Sequence, residues 1–256
     1  CVPLDTKKTI EVPIVVDEYL EPDEFFTVAL SNPEGGYLRD NLQEAVGTIR
    51  NDDQTLAITN EGYTTPDSYP GMTLVWGDES DNDGAPDPAK WTYDLGNGNW
   101  GWGNQELQNY TSSPENVKVD DGNLFIFARN EGGYTSARLK TQGIYDFQYG
   151  RVDIRAMLPI GQGIWPALWM LGSDITTESW PACGEIDIME QSGDKSKISG
   201  AFHFLDTNGN HTYTYDYLSV SNTDSSWHVY AVDWNATTIE LSVDGTVFHT
   251  LNNAQN

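Results

Sequence analysis

The residues with the most chemical potential fall in one short run, Gly184-Glu185-Ile186-Asp187-Ile188-Met189-Glu190-Gln191. Its first carboxylates alternate with aliphatic residues, as in a half-buried strand. Glu185 and Asp187 share one face, and Ile186 and Ile188 point the other way into a core. Strict alternation would put Met189, not Glu190, on the acidic face. One extra residue, a β-bulge near Ile188 and Met189, returns Glu190 to the other two carboxylates, so a bulge is predicted there. Glu185 and Glu190 then stand about four strand steps apart, roughly 13 Å between Cα atoms. Side chains leaning toward each other bring the carboxyls to about 5 to 6 Å, the spacing of a retaining glycosidase pair, one nucleophile and one acid/base. Asp187 lies between them, and like charges this close raise at least one pKa. An exposed acidic strand face is the alternative reading, but no Lys or Arg is interleaved to offset the repulsion.

Aromatic residues surround this run. Trp165 and Trp169 are four apart in Gly163-Ile164-Trp165-Pro166-Ala167-Leu168-Trp169-Met170-Leu171, which predicts one face of a strand. Trp180 precedes Glu185 by five residues across a short turn. Flat apolar rings beside carboxylates make a platform for a sugar chain, with a buried Trp cluster as the competing explanation. The stretch Gly96-Asn97-Gly98-Asn99-Trp100-Gly101-Trp102-Gly103-Asn104-Gln105-Glu106-Leu107-Gln108 suits neither a regular strand nor a regular helix, and it offers Trp faces and amide groups. His203, in Gly200-Ala201-Phe202-His203-Phe204, matters only if its strand lies beside the acidic one. The alternating aromatics of His211-Thr212-Tyr213-Thr214-Tyr215-Asp216-Tyr217 are explained by cross-strand pairing.

Composition narrows the class. Thirteen basic against 39 acidic residues give a formal net charge of −26, which argues against electrostatic binding of nucleic acid or an anionic membrane. No stretch is long and apolar enough for a transmembrane helix, so no membrane insertion is expected. The net charge fits a solubilising shell, calcium sites or a neutral substrate; aromatic content is high, and 24 Gly suggest many turns. No Met-initiated signal peptide is present, and the sequence begins as though within a domain. Cys1 and Cys183 are not expected to form a disulfide, because they fall in different predicted domains.

The elements that must hold the acidic strand read as hairpins. Val117-Lys118-Val119 and Leu124-Phe125-Ile126-Phe127-Ala128 flank an Asp121-Gly122 turn. Leu74-Val75-Trp76 is expected to open the β runs, and Tyr134 to Thr141 to form one strand. In Gly150-Arg151-Val152-Asp153-Ile154-Arg155, Val152 and Ile154 face one side. Segments 227–234 and 239–243, then an Asp244-Gly245 turn and 246–250, complete an antiparallel all-β sandwich. Residues 1–53 are strands and acidic turns, 54–71 a linker, and 72–256 the domain carrying the acidic strand.

Two family resemblances follow. The pattern Glu21-x-Asp23-Glu24-x-Phe26-x-Val28-x-Leu30, with a last strand ending at Asn51-Asp52-Asp53, resembles the C-terminal half of a Calx-β domain. That implies a partial immunoglobulin-like sandwich, with Glu21, Asp23, Asp52 and Asp53 as candidate calcium ligands. Residues 72–256 are similar to glycoside hydrolase family 16 in its laminarinase-like branch. The motifs are Leu74-Val75-Trp76-Gly77-Asp78-Glu79, Trp102-Gly103-Asn104-Gln105-Glu106-Leu107-Gln108, Ser136-Ala137-Arg138-Leu139-Lys140-Thr141, Gly163-Ile164-Trp165-Pro166-Ala167-Leu168-Trp169-Met170 and Trp180-Pro181-Ala182-Cys183-Gly184-Glu185-Ile186-Asp187-Ile188-Met189-Glu190.

This second resemblance implies a concanavalin-like β-jelly roll and a secreted or cell-surface retaining endo-β-1,3-glucanase. It assigns Glu185 as nucleophile, Glu190 as acid/base and Asp187 as the residue that orients the nucleophile. Trp165, Trp169 and Trp180 would line a cleft, with Asn104, Glu106, Arg138 and His203 as polar contacts. No cofactor is implied for catalysis. A structural calcium is, with Glu79 and Gly122 as positions to test. The family continues past the Asp244-Gly245 hairpin with two further strands, so the jelly roll is expected to lack them here. The alternatives are a carbohydrate-binding or matrix module without catalysis, a calcium-dependent adhesion module, and a family 16 enzyme acting on mixed-linkage glucan or a galactan. Only Arg138 and Lys140 are offered as cations near the site, which favours a neutral glucan over a sulfated one.

Overall fold

A computed structural model describes residues 12, 24–31, 44–49 and 58–252. The chain divides into two compact units, Cys1–Asn60 and Glu61–Asn256. In the first, β1 (Glu24–Ala29) pairs antiparallel with β2 (Glu44–Ile49). Cys1 and the candidate ligands Glu21, Asp23, Asp52 and Asp53 lie outside the described residues.

The second unit is built from short peripheral strands and two larger sheets. The peripheral strands are β3 (Thr92–Asp94), β4 (Asn109–Tyr110), β5 (Val117–Asp120), β6 (Asn123–Ile126), β7 (Arg129–Asn130), β8 (Tyr134–Ser136) and β9 (Arg138–Lys140). Next come β10 (Gly150–Ala156), β11 (Ala167–Leu171), β12 (Glu185–Glu190), β13 (Lys197–Leu205) and β14 (His211–Ser219). The last three are β15 (His228–Trp234), β16 (Thr238–Val243) and β17 (Thr246–Asn252). One sheet runs β11-β12-β13-β14 and the other β10-β15-β16-β17, each antiparallel throughout. Their facing sides share one core: Ile188, Met189, Ile198 and Phe202 from the first meet Tyr230, Val232, Leu241 and Val243 from the second. Val152 and Ile154 pack against this core, as their alternation predicted.

Gly200 lets the two sheets approach beneath the acidic strand. A Cβ there would stand 2.5 Å from Leu241 Cδ1 and 2.8 Å from Phe248 Cζ, distances no real side chain tolerates. The Asp121-Gly122 turn has both residues at positive φ, the geometry of a tight hairpin, and it joins β5 to β6 as expected.

Three expectations need correction. Leu74-Val75-Trp76 forms no strand; Leu74 and Val75 are 84% and 76% exposed, and no strand among the described residues pairs with them. The run from Tyr134 to Thr141 is broken at Ala137 into β8 and β9, which pair with different neighbours. Part of the segment expected to be linker belongs to the second unit. Gly62 forms a bridge to Trp227, the Tyr63 amide donates to the Trp227 carbonyl, and Tyr69 lies against Arg151. Among the described residues no helix is long and apolar enough to cross a membrane.

Candidate active site

The predicted bulge is present, and it builds the site. Leu168 pairs with Met189 but Trp169 pairs with Asp187, so β12 carries one more residue than its neighbour at Ile188. On its other side β12 advances three residues from Asp187 to Glu190 while β13 moves two, from Ala201 to Ser199. Both Ile188 and Met189 therefore turn into the core, at 1% and 0% exposure, and Glu190 returns to the face of Glu185 and Asp187. In cross-strand rows on that face, His203 stands beside Glu185, Ala201 and Trp169 beside Asp187, and Ser199 and Ala167 beside Glu190. The condition set for His203 is met: its strand is the neighbour of the acidic one.

Each outer carboxylate is gripped by an indole. Trp180 Nε1 donates to Glu185 Oε2 at 2.5 Å, and Trp165 Nε1 donates to Glu190 Oε1 at 2.9 Å. These bonds fix the carboxylates' orientation while both rings stay half exposed. Trp165 does not share a strand with Trp169, as the spacing suggested. It precedes β11, in the loop that Pro166 ends, and from there its N–H reaches across to Glu190.

The three acids differ in their environments. Asp187 is buried, and that burial, the negative charges of Glu185 and Glu190 and a hydrogen bond to Glu185 push its pKa up to about 9. At neutral pH it is protonated and donates to Glu185. Glu190 is also raised, first by burial and then by Glu185, and the Trp165 N–H works against that rise. His203 Nδ1 lies 3.1 Å from His211 Nε2, and His203 Nε2 lies 3.4 Å from Asp187 Oδ2. Burial, the largest influence on His203, depresses its pKa, which favours the neutral ring. One tautomer suits this geometry: His211 Nε2–H donates to His203 Nδ1, His203 Nε2–H faces Asp187 Oδ2, and Asp187 donates to Glu185. His211 was missed in the sequence reading; its place in the aromatic strand hid a polar role.

Two predictions follow from these environments. Trp165→Phe removes the N–H that holds Glu190 down, so the basic limb of the kcat/KM–pH profile should move to higher pH, measured on a soluble glucan. A limb that stays or moves down would contradict this. Asp187 also links stability to pH. Its pKa is about 9 in the fold against an ordinary 3.8, so across that range the folded state holds a proton the unfolded chain has lost. Its contribution to stability is full at low pH and is lost as pH rises toward about 9. Asp187→Asn should therefore melt higher than the parent at pH 8 and lose that advantage below pH 4; parallel melting curves would refute the assignment.

The outer residues form a stack. Arg138 Cζ lies 4.5 Å from the Trp169 ring centroid and 4.7 Å from that of Trp102, and Arg138 Nε donates to Asp94 Oδ2 at 3.0 Å. Lys140 shares that carboxylate. Arg138 thus joins the 101–105 loop to β11, next to Asp187. That loop is an irregular five-residue turn, Gly101–Gln105, with Trp102 and Gln105 in the left-handed region. Glu106 accepts from Asn104, Gln108 and Tyr110, and its neighbours raise the Tyr110 hydroxyl to about 12, burial first and Glu106 next. Asn104 is exposed. Asp94 and Tyr110 left no signal in the sequence, because their roles depend on β3 and β4 being placed beside β9 and β8.

The loop containing Glu79 meets the turn containing Gly122. The Gly84 amide donates to the Val119 carbonyl, and the Asp121 amide to Asp83 Oδ1. Among the described residues no three His, Cys, Asp or Glu side chains converge as a metal site would require. The described side chains around Glu79 and Gly122 therefore do not form a calcium cage by themselves.

A strand bulged to present three carboxylates, two held by indoles, on one sheet of an antiparallel sandwich supplies the paired acids that glycoside hydrolysis uses. The chain belongs to the glycosyl hydrolases family 16, whose model matches residues 104–256. Its relatives include glucan endo-1,3-beta-glucosidase A1 of Niallia circulans, 39% identical over 215 residues that cover 76% of this chain and 31% of that protein. This chain thus spans about a third of that relative. The laminarinase from Rhodothermus marinus superimposes with a TM-score of 0.65 at 44% identity, over 71% of this chain and 75% of that one. A LamA variant from Z. galactanivorans, solved with laminaritriose and laminaritetraose, gives a TM-score of 0.66 at 38% identity, over 72% and 82%. These likenesses confirm the jelly-roll-like all-β fold of the second unit.

Proposed function

We propose that this chain is an endo-acting β-1,3-glucan hydrolase that works by double displacement with retention of configuration. The observation that carries the reading is the bulge at Ile188, which places Glu190 on the face of Glu185 with protonated Asp187 between them. Glu185 attacks the anomeric carbon as the glycosidic C–O bond breaks, and Glu190 gives its proton to the leaving oxygen. A covalent ester joins the sugar to Glu185. Glu190, now a base, takes a proton from water as that water attacks the same carbon, and Glu185 leaves as a carboxylate.

The environments suit these roles. A raised pKa favours the protonated Glu190 that the first step uses. A neutral Asp187 donates a hydrogen bond to ionised Glu185 and adds no charge beside the developing oxocarbenium ion. Trp165, Trp169, Trp180, Asn104 and Glu106 are read as substrate contacts. Arg138 acts through the rings it stacks on. We also read residues 1–53 as a Calx-β-like module, on the acidic motif from Glu21 to Leu30, the protein as secreted or cell-surface, and calcium as structural only.

Hydrolysis of laminarin, lichenan and agarose by the purified chain tests the reading. Laminarin should be cut fastest, into oligosaccharides of several lengths. Activity on agarose alone, or on none of the three, would overturn it.

A further inference from the structure

The rows that hold the carboxylates continue onto aromatic side chains with no part in the steps above. Across β13, Glu185 is followed by His203 and then Tyr213, Asp187 by Ala201 and then Tyr215, and Glu190 by Ser199 and then Tyr217. Residues opposite each other in an antiparallel sheet point to the same side, so the three tyrosines share the carboxylate face. The opposite face of β14 is turned inward, with Leu218 against the core and Thr214 Oγ1 3.0 Å from His249 Nε2. Tyr213, Tyr215 and Tyr217 are each more than half exposed, which is uncommon for three successive same-face aromatics.

The direction of the substrate follows from the reaction, and this step rests on the hydrolase reading. The nucleophile and the acid/base flank the bond being cut, and both stand on β12. The glucan must therefore cross β12 between them and run across the strands, along the rows. On one side its path passes over Ala201, a buried residue with the smallest side chain in its row, and reaches Tyr215. Lys197 Nζ already sits over the Tyr217 ring, 5.0 Å from its centroid, and His203 and His211 flank Tyr213. Among the described residues the rings beside Tyr215 are those of Tyr213 and Tyr217, at 6.0 and 5.4 Å.

We propose that Tyr215, with Tyr213 and Tyr217 on either side, is a stacking platform for a glucosyl unit of the β-1,3-glucan. It lies two strand spacings, about 10 Å, from β12, which is a reach of about two sugar units from the bond being cut. The ring offers an apolar face to the pyranose C–H groups, and its hydroxyl stands at the wet edge, as a neutral sugar requires. The competing explanation is cross-strand aromatic packing that only steadies an outer strand. The two differ in one respect: a platform matters to long substrates and not to short ones.

The test is kcat/KM for β-1,3-glucan oligomers of increasing length, for the parent chain, Tyr215→Ala and Tyr215→Phe. The ratio of the value for the longest oligomer to that for the shortest one cut should fall about tenfold in Tyr215→Ala, the size of one lost ring contact. Tyr215→Phe should retain most of the parent's ratio. Should alanine prevent folding, Tyr215→Leu keeps the apolar bulk of the strand and should give the same fall. A ratio unchanged in the alanine or leucine variant, whatever the loss of thermal stability, overturns the platform while the hydrolase reading stands. If the parent cuts no oligomer of any length, the hydrolase reading falls and the platform falls with it.

Discussion

Glu185→Ala should lower kcat on laminarin by about five orders of magnitude, because removal of the nucleophile abolishes the covalent route and leaves only binding and the acid. The variant should remain folded, since Glu185 is only partly buried and sits on the open face of the sheet. The loss can be reversed in a diagnostic way. The shortened side chain leaves room for azide, which attacks the anomeric carbon from the vacated side while Glu190 still protonates the leaving oxygen. The product should be an α-glucosyl azide, with configuration opposite to that of the β-linked substrate. Residual hydrolysis within tenfold of the parent, or azide that changes nothing while the protein melts normally, would remove Glu185 from the role.

Glu190→Ala should show a different pattern. On laminarin the poor leaving group needs a proton, and general acid catalysis contributes roughly 10² to 10⁴ in rate, so a fall of about a thousandfold is expected. On a dinitrophenyl glycoside the leaving group needs none. Ester formation should then stay fast, the ester should accumulate because no base activates water, and a burst of phenolate should precede slow turnover. The basic limb of the pH profile, set in the parent by the raised pKa of Glu190, should disappear. Equal losses on both substrates would mean that Glu190 supports the site without moving the proton.

The acidic strand was legible because its defect is local. A pattern of period two that leaves its third carboxylate out of phase can be repaired only by an extra residue, and both residues at that point, Ile188 and Met189, are apolar enough to turn inward together. Two hairpins were legible for the same reason: Asp121-Gly122 and Asp244-Gly245 carry their turns in two adjacent residues. What escaped depends on contacts between distant parts of the chain. Arg138 lies between Trp102 and Trp169 because β9 is placed beside β3, and no periodicity in any one segment encodes that. Indoles were expected as sugar platforms, but the N–H groups of Trp165 and Trp180 also orient the carboxylates. The two uses are compatible, since an indole can donate at its edge and stack on its face. Leu74-Val75-Trp76 misled because a strand-like run has no meaning without a partner strand.

The histidine pair shows the same limit from another direction. A lone strand His is most often structural, yet pairing in register puts His203 beside Glu185, and from β14 His211 completes a line of polar side chains that runs through His203 and Asp187 to Glu185. Only the order β12-β13-β14 reveals it.

The central claim is that Glu185 and Glu190 act on the same sugar in two successive displacements. The most direct test is proton NMR of laminarin hydrolysis by the parent chain, recorded in the first minutes before the new reducing ends mutarotate. The account predicts that the β-anomer appears first and the α-anomer grows in later. An α-anomer formed first would mean a single displacement by water, and would contradict the covalent role given to Glu185.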